Sequence, residues 1–299
     1  MNPHKGKFSA WRYPAVTVAL LGAAVGVGCA PPPGQDPALA VMSFNIRYGT
    51  ARDGDDAWPL RRERAFRTIR DAAPDLLALQ EALRFQLDEL GAALPGYLEL
   101  GVGRDDGLAA GEYAALFYRA DRLRPDTSGT FWLSDTPAVP GSMSWGNRIT
   151  RISTWAIVRD LITGARFAVF NVHLDHESQP SRERGVALVL ERMQVLAPDL
   201  PLIWTGDFNA GEDNPAVTAV TAAGFTDTFR ALHAGAPFAG TFNAFRGDST
   251  GDKIDYVFVR GGWTVNQAAI VRIRPDGRDA SDHFPVTATL RLDAEAGVR

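Results

Sequence analysis

Nine short apolar runs rich in β-branched residues, each four to eight residues long, recur from residue 40 to residue 290 and constrain this chain more than any other feature. They cover residues 40–46, 76–79, 113–118, 152–158, 167–174, 202–205, 254–259, 269–273 and 286–290. Runs of that length and composition read as strands, and near-continuous apolarity implies burial on both faces. Helical periodicity is clearest over residues 60–72, 85–94, 181–196 and 215–222. Some strands follow helices, while others follow one another through hairpins such as the one at residues 159–166. A doubly wound fold would alternate strand and helix more regularly, so two packed sheets with helices on their outer faces fit the order better.

Polar residues recur where these strands end. In Phe170-Asn171-Val172-His173-Leu174 the two-residue period sends Asn171 and His173 to one face and the apolar residues to the other. The run 201–205 leads into Gly206-Asp207-Phe208-Asn209, whose two polar side chains project together from the strand's carboxyl end if the backbone stays extended. A turn cap is the structural alternative there. Asn45 and Glu81 follow apolar runs in the same way, and Asp255 lies within one. A buried carboxylate costs several kcal/mol unless a cation, an imidazole or a set of donors accompanies it, so Asp255 needs such a neighbour. Ser281-Asp282-His283 places an acid and an imidazole before the last strand, and Pro285 stops any helix there. Together these side chains supply what metal-assisted phosphoryl transfer requires: oxygen ligands for a hard cation, a base for water, and donors around the phosphoryl oxygens.

His173-Leu174-Asp175-His176 also resembles half of the zinc-binding segment of metallo-β-lactamase-like hydrolases. Zinc sites draw on several nitrogen or sulfur ligands, and only four histidines follow residue 28, so this reading is disfavoured.

The 299 residues suit one large domain, 39–293, and the 45% apolar and 22% charged composition is that of an ordinary globular protein. The first 14 residues carry Lys5, Lys7 and Arg12 without an acid, and residues 15–27 are apolar. That pattern is a charged region followed by a signal-peptide core, too short for a membrane span, and it predicts export with residues 1–28 removed. Cys29, the only cysteine, precedes a Pro-rich tether over 29–38, and the arrangement resembles a bacterial lipoprotein signal with a lipid anchor on Cys29. A general secretory signal, giving a periplasmic or secreted protein, is the alternative. Beyond residue 28 there remain 28 Lys and Arg against 35 Asp and Glu, a net charge near −7. That balance disfavours a nucleic-acid partner, although Arg61, Arg62, Arg64, Arg67 and Arg70 could line a local basic groove. Residues 294–299 read as a short tail.

In order, Ser43-Phe44-Asn45-Ile46-Arg47, Leu79-Gln80-Glu81, Asn171-Val172-His173-Leu174, Gly206-Asp207-Phe208-Asn209, Ile254-Asp255-Tyr256 and Ser281-Asp282-His283 resemble the motif set of the endonuclease/exonuclease/phosphatase superfamily. The resemblance implies a four-layered α/β sandwich, two packed and mostly antiparallel sheets flanked by helices, that hydrolyses phosphate esters with Mg2+ or Mn2+. It implies Glu81 as the principal metal carboxylate with Asn45 nearby, and Asp282 supporting the metal or a histidine. Asp207 would activate or position the attacking water, and Asn209 would hold that water or the phosphate. His283, oriented by Asp255, would contact the phosphoryl group, and His173 would stabilise the transition-state oxygens. Arg47 and His173 stand where the DNA-repair branch has Asp and Tyr, which leans toward branches resembling sphingomyelinases, inositol phosphatases and deadenylases. The segment 133–155 resembles a bacterial envelope subgroup, in which Arg148 or Arg151 could grip a second anionic group or simply form surface salt bridges. Glu112 could likewise reach the site or pair with an arginine. The expectation is a monomeric, exported hydrolase acting on a small-molecule or lipid-headgroup phosphate ester. A secreted nuclease of the same fold and a catalytically inactive phosphate-binding envelope protein are the alternatives.

Overall fold

The computed structural model describes residues 38–293. The export signal, Cys29 and nearly all of the Pro-rich tether lie outside the described residues, as does the tail 294–299. In chain order the elements are β1 (Leu39–Asn45), α1 (Trp58–Ala72), β2 (Leu76–Ala82), α2 (Arg84–Ala93), β3 (Tyr97–Leu100), β4 (Tyr113–Arg119), β5 (Leu123–Trp132), β6 (Ile152–Asp160), β7 (Arg166–His173), α3 (Gln179–Leu196), β8 (Leu202–Asp207), α4 (Pro215–Ala222), β9 (Thr226–Asp227), α5 (Thr228–Leu232), β10 (Asp255–Arg260), β11 (Trp263–Ile270) and β12 (Val286–Leu292). Helices α3 and α4 begin where the sequence supplies caps: Ser178 accepts the Ser181 amide at α3, and Asn214 accepts the Ala216 amide at α4, each followed by a proline in the first turn.

Two six-stranded sheets result, ordered β11-β12-β1-β2-β4-β3 and β5-β6-β7-β8-β10-β9. Each is antiparallel except for one central parallel pair, β1 with β2 and β7 with β8. The hairpin at 159–166 is present, with Arg159 opposite Arg166. Strand alternation sorts three apolar clusters into layers. Val41, Leu76 and Ala78 of the first sheet meet Val158, Val169, Ile203 and Val257 of the second between the sheets. Met42, Phe44, Leu77 and Leu79 turn outward onto Phe66 and Ile69 of α1 and Leu87 and Leu90 of α2. Phe170, Val172, Trp204 and Phe258 turn outward onto Val186, Val189 and Met193 of α3 and Val217 and Val220 of α4. The architecture is therefore the expected four-layered sandwich. Among the described residues, no helix is long and apolar enough to cross a membrane.

Asn171 and His173 share one face of β7 and Phe170 and Val172, with Leu174 just beyond the strand, the other, as the alternation predicts, and both faces are buried. Asn171 lies between the sheets and acts as a strut: its Nδ2 donates to the carbonyls of Leu79 on β2 and Ala115 on β4, both at 2.9 Å, and its Oδ1 accepts from Gln80 Nε2 at 2.7 Å. The inter-sheet layer is thus apolar along most of its length and polar at one end.

Candidate active site

Register brings the polar strand ends together. In the second sheet His173 on β7 lies opposite Asp207 on β8, which lies opposite Asp255 on β10, so three neighbouring strands present their functional residues at one level. In the first sheet Asn45 on β1 lies opposite Gln80 on β2. Alternation alone would send Glu81 toward the helices. The β2–β4 register shifts between Leu79 and Ala82, and Glu81 adopts φ +62°, which returns its carboxylate to Asn45. Left-handed backbone at a non-glycine residue is strained, and such strain concentrates at functional sites.

The hydrogen bonds close across both sheets. Asn45 Nδ2 donates to Glu81 Oε1 at 3.1 Å and to Asp207 Oδ2 at 2.9 Å, while its Oδ1 accepts the Arg47 amide at 3.0 Å. Asp207 Oδ1 accepts the Asn209 amide at 2.9 Å, and Asn209, itself at φ +47°, anchors its Nδ2 on the Leu174 carbonyl at 3.0 Å. His283 Nδ1 pairs with Asp255 Oδ2 at 2.9 Å. Both imidazoles turn Nε2 toward Asp207 Oδ2, His173 at 3.6 Å and His283 at 3.8 Å. Arg47 grips Asp53 with two nitrogens and lies 3.6 Å from Asp282 and 3.9 Å from Glu81.

Burial and charge set the protonation states. Burial and the neighbouring Asp255 carboxylate push Asp207 well above the usual carboxylate range, despite His283 and the Asn45 and Asn209 donors. Burial, with Arg151 and Arg104 nearby, holds His173 well below its ordinary value and therefore neutral. Burial opposes a charge on His283, but Asp255 and Asp207 outweigh it and keep the imidazole protonated. Burial likewise raises Asp282, with Glu81 adding to the effect. Glu81, Asp207, Asp255 and Asp282 thus gather around Arg47 and His283 at one end of the inter-sheet layer. Asp255 Oδ1 is buried without a protein hydrogen-bond partner, and Asp207, Asp255 and His283 bring ligating atoms within 4.8 Å of one another. The pocket-lining carboxylates Glu81 and Asp282 offer the oxygen ligands that a hard divalent cation prefers.

The endonuclease/exonuclease/phosphatase family model matches residues 42–283, a span that contains every motif described above. The chain belongs to this family. Among solved structures, it resembles an endonuclease/exonuclease/phosphatase family protein from Bacteroides thetaiotaomicron, with 35% identity and a TM-score of 0.80 over 86% of this chain and 96% of that one. A mannosyl-6-phosphatase from the same organism is similar at 34% identity and a TM-score of 0.78, covering 85% of this chain and all of the other. TDP2 from D. rerio, complexed with single strand DNA product, shares the fold at 19% identity and a TM-score of 0.69, covering 86% of this chain and 100% of that one.

Family membership frames the remaining placements. A pocket of about 420 Å³ opens on Glu81, His173, Asp207, Asn209, Asp282 and His283, with Asn45 and Asp255 buried beneath it. Asn45 is expected as a metal neighbour, yet it turns its amide nitrogen to both carboxylates and so acts as a clamp between Glu81 and Asp207. Arg151 lines the pocket and is 3% exposed, whereas Arg148 is exposed and lies outside the lining. Glu112 does both things expected of it: it takes Arg104 bidentately at 2.6 and 2.8 Å and stands 3.9 Å from His173 Nδ1. Burial pushes Glu112 up to about 7. The zinc-like segment comes apart, because Asp175 accepts the Glu177 and Ser178 amides ahead of α3 and pairs with Arg151, while His176 hydrogen-bonds Arg151.

The expected basic groove also dissolves. Arg61 is fully buried, and Arg62, Arg64, Arg67 and Arg70 pair with Glu89, Asp56, Asp276 and Glu63. Arg61 instead donates to the carbonyls of Asp56, Ile46, Arg47 and Ala280, tying the loop after β1 to the loop before β12. Sequence reasoning missed Arg104 and Phe242 in the pocket wall. Both come from loops without a motif, and Phe242 is recognisable only by its edge-on contact with His283 at 5.1 Å between ring centres.

Proposed function

We propose that this protein is an exported hydrolase of phosphate esters that works with Mg2+ or Mn2+ on small-molecule or lipid-headgroup substrates. The observation that carries this reading is the convergence of Asn45, Glu81, His173, Asp207, Asn209, Asp255 and His283 on one pocket, although they are spread over more than 230 residues of sequence. The mannosyl-6-phosphatase likeness supports a small phosphate ester, and the pairing of the α1 arginines weighs against a duplex substrate.

Glu81 and Asp282 are the carboxylates placed to hold the cation, whose contribution is to neutralise charge on the phosphoryl oxygens. Asp207 takes the proton of the attacking water, and its raised pKa makes it a stronger base than a solvated carboxylate. The Asn209 amide and Asn45 Nδ2 fix the orientation of both Asp207 oxygens. His283, held protonated by Asp255, donates through Nε2 to the phosphoryl oxygens, and neutral His173 offers a second contact from the end of β7. Water attacks directly, so no covalent enzyme intermediate forms.

The test is a screen of purified protein against nucleotides, sugar phosphates, inositol phosphates and phospholipids, with and without EDTA. EDTA-sensitive release of phosphate or alcohol, lost in Asp207→Asn, is expected. Salt-sensitive DNA cleavage without turnover of small esters would favour the nuclease, and binding without any hydrolysis would favour the inactive receptor.

A further inference from the structure

Beside the catalytic carboxylates the pocket has a second flank of opposite character. Three segments that are distant in sequence meet there: Arg104 from the loop before β4, Arg151 just ahead of β6 and His176 just after β7. Arg151 is 3% exposed, its Nε lies 3.4 Å from Asp175 Oδ2, and its Nη2 lies 2.8 Å from His176 Nδ1. A guanidinium can only donate, so His176 Nδ1 accepts and the imidazole proton resides on Nε2. Arg151 Nη1 and Arg104 Nε are both buried without any hydrogen-bond partner in the protein. His176 Nε2 has Glu177 Oε1 nearby at 3.7 Å, too long for a hydrogen bond. The flank therefore presents three N–H groups without a hydrogen-bond acceptor, the Asp105 carboxylate lying 3.9 Å from Arg104 Nε.

Unpaired buried donors are costly, and a guanidinium N–H is worth most when it meets an anionic oxygen. The scissile phosphate does not need this flank, because it already has His173, His283, Asn209 and the cation carboxylates around it. Arg104 pairs with Glu112, which faces His173 Nδ1, whereas Asp207 faces Nε2. Arg104 and Glu112 thus lie on the Nδ1 side of the His173 ring and Asp207 on its Nε2 side.

We propose that Arg151, with Arg104 and His176, forms a subsite for a second anionic group on the substrate, a phosphate or carboxylate borne by the leaving portion. The preferred substrates are then phosphate esters that carry a further anion, such as a sugar or polyol bisphosphate or the equivalent lipid headgroup. This rests on the hydrolase reading above and narrows its substrate class.

The test compares kcat/KM of the purified full chain, with Mg2+, on a hexose monophosphate and the corresponding hexose bisphosphate. A parallel arm compares an inositol bisphosphate free in solution with the same headgroup on a lipid in mixed micelles. The expected wild-type ratio of bisphosphate to monophosphate is about tenfold or more, carried in KM. Arg151→Gln should bring that ratio below about three. His176→Ala, a change at a half-exposed side chain, should reduce it in the same direction and serves if the buried Arg151 variant does not fold. A wild-type ratio near one, or a ratio that both variants leave unchanged, would overturn the subsite while leaving the hydrolase intact. Failure of the wild type to turn over either ester or any other would instead overturn the hydrolase reading itself. The headgroup arm separates the sources of that anion: equal kcat/KM on the free and lipid-borne forms shows that the shared anion is recognised, and a difference names the preferred source, while the bisphosphate-to-monophosphate ratio decides the proposal.

Discussion

Asp207 combines the two demands that set this site apart from a structural polar cluster: it must be ionised to act as a base, and it is buried beside another carboxylate. Its folded pKa lies above that of an unfolded aspartate, so the folded state holds the proton longer, and ionisation at higher pH costs stability. The cost grows from about pH 4, the unfolded value, toward neutrality, and asparagine avoids it. In EDTA, Asp207→Asn should therefore be more stable than wild type at pH 7 by about 2 kcal/mol, with the gap closing near pH 4, while activity falls about a thousandfold. Denaturant midpoints at several pH values would read the first effect, and a gap independent of pH would refute it. Arg61 poses the opposite case. Its four carbonyl contacts hold two site loops together, so Arg61→Leu should cost about 3 kcal/mol by leaving buried acceptors unpaired. A loss under about 0.5 kcal/mol, the size of an ordinary surface change, would show that the loops find other partners. The basic run around Arg61 looked like a surface in the sequence because arginines seldom bury; only the loop carbonyls, invisible before folding, explain it.

Among the elements, legibility divided along the sheet edges. The eight interior strands each carry an apolar run and were anticipated within a few residues, as were α1 to α4. Three of the four edge strands were not, and β11 was met only at its end. β3 and β9 have no apolar run of their own, β5 contains Pro125 and Gly129 among polar residues, and β11 begins earlier than residue 269 with a largely uncovered stretch. An edge strand buries little and tolerates proline, so the signal that marks interior strands is missing from it. The catalytic strands β1, β2, β7, β8 and β10 are all interior, which is why most of the site could be read in advance. The sequence leaves Arg148 and Arg151 equivalent, and only the loop's path decides which faces the pocket. Within β8, Gly206 has φ +148°, and a Cβ there would run into the Val172 carbonyl of β7. Gly206→Ala should separate β7 from β8 next to Asp207, lowering stability by about 2–4 kcal/mol and disturbing the His173–Asp207 alignment. Thermal melting and kcat together would check this; an unshifted Tm would show that the strands can part without cost.

For the molecule as a whole, the charged leader, the apolar stretch and Cys29 make export and lipid anchoring a proposal about where the folded domain works. Full-length protein expressed in a bacterial host should partition with membranes, and Cys29→Ser should release it to the soluble fraction. Equal partition of both forms would leave only a general secretory signal. The fold class was legible because six ordered motifs spanned nearly the whole domain, whereas substrate choice was not, since the donors that bear on it sit in loops at Arg104 and His176.

Asn45 belongs to one sheet and Asp207 to the other, and Asn171 bolts the two together where they meet. Catalysis therefore takes place on a seam, and the reaction reports on the fit between halves more sensitively than on the integrity of either half. In graded urea, activity should vanish at a lower concentration than far-ultraviolet circular dichroism does, because slippage by a fraction of a bond length parts the base from its clamp while every strand is still paired. Coincident loss of the two signals would mean the halves come apart only when they unravel.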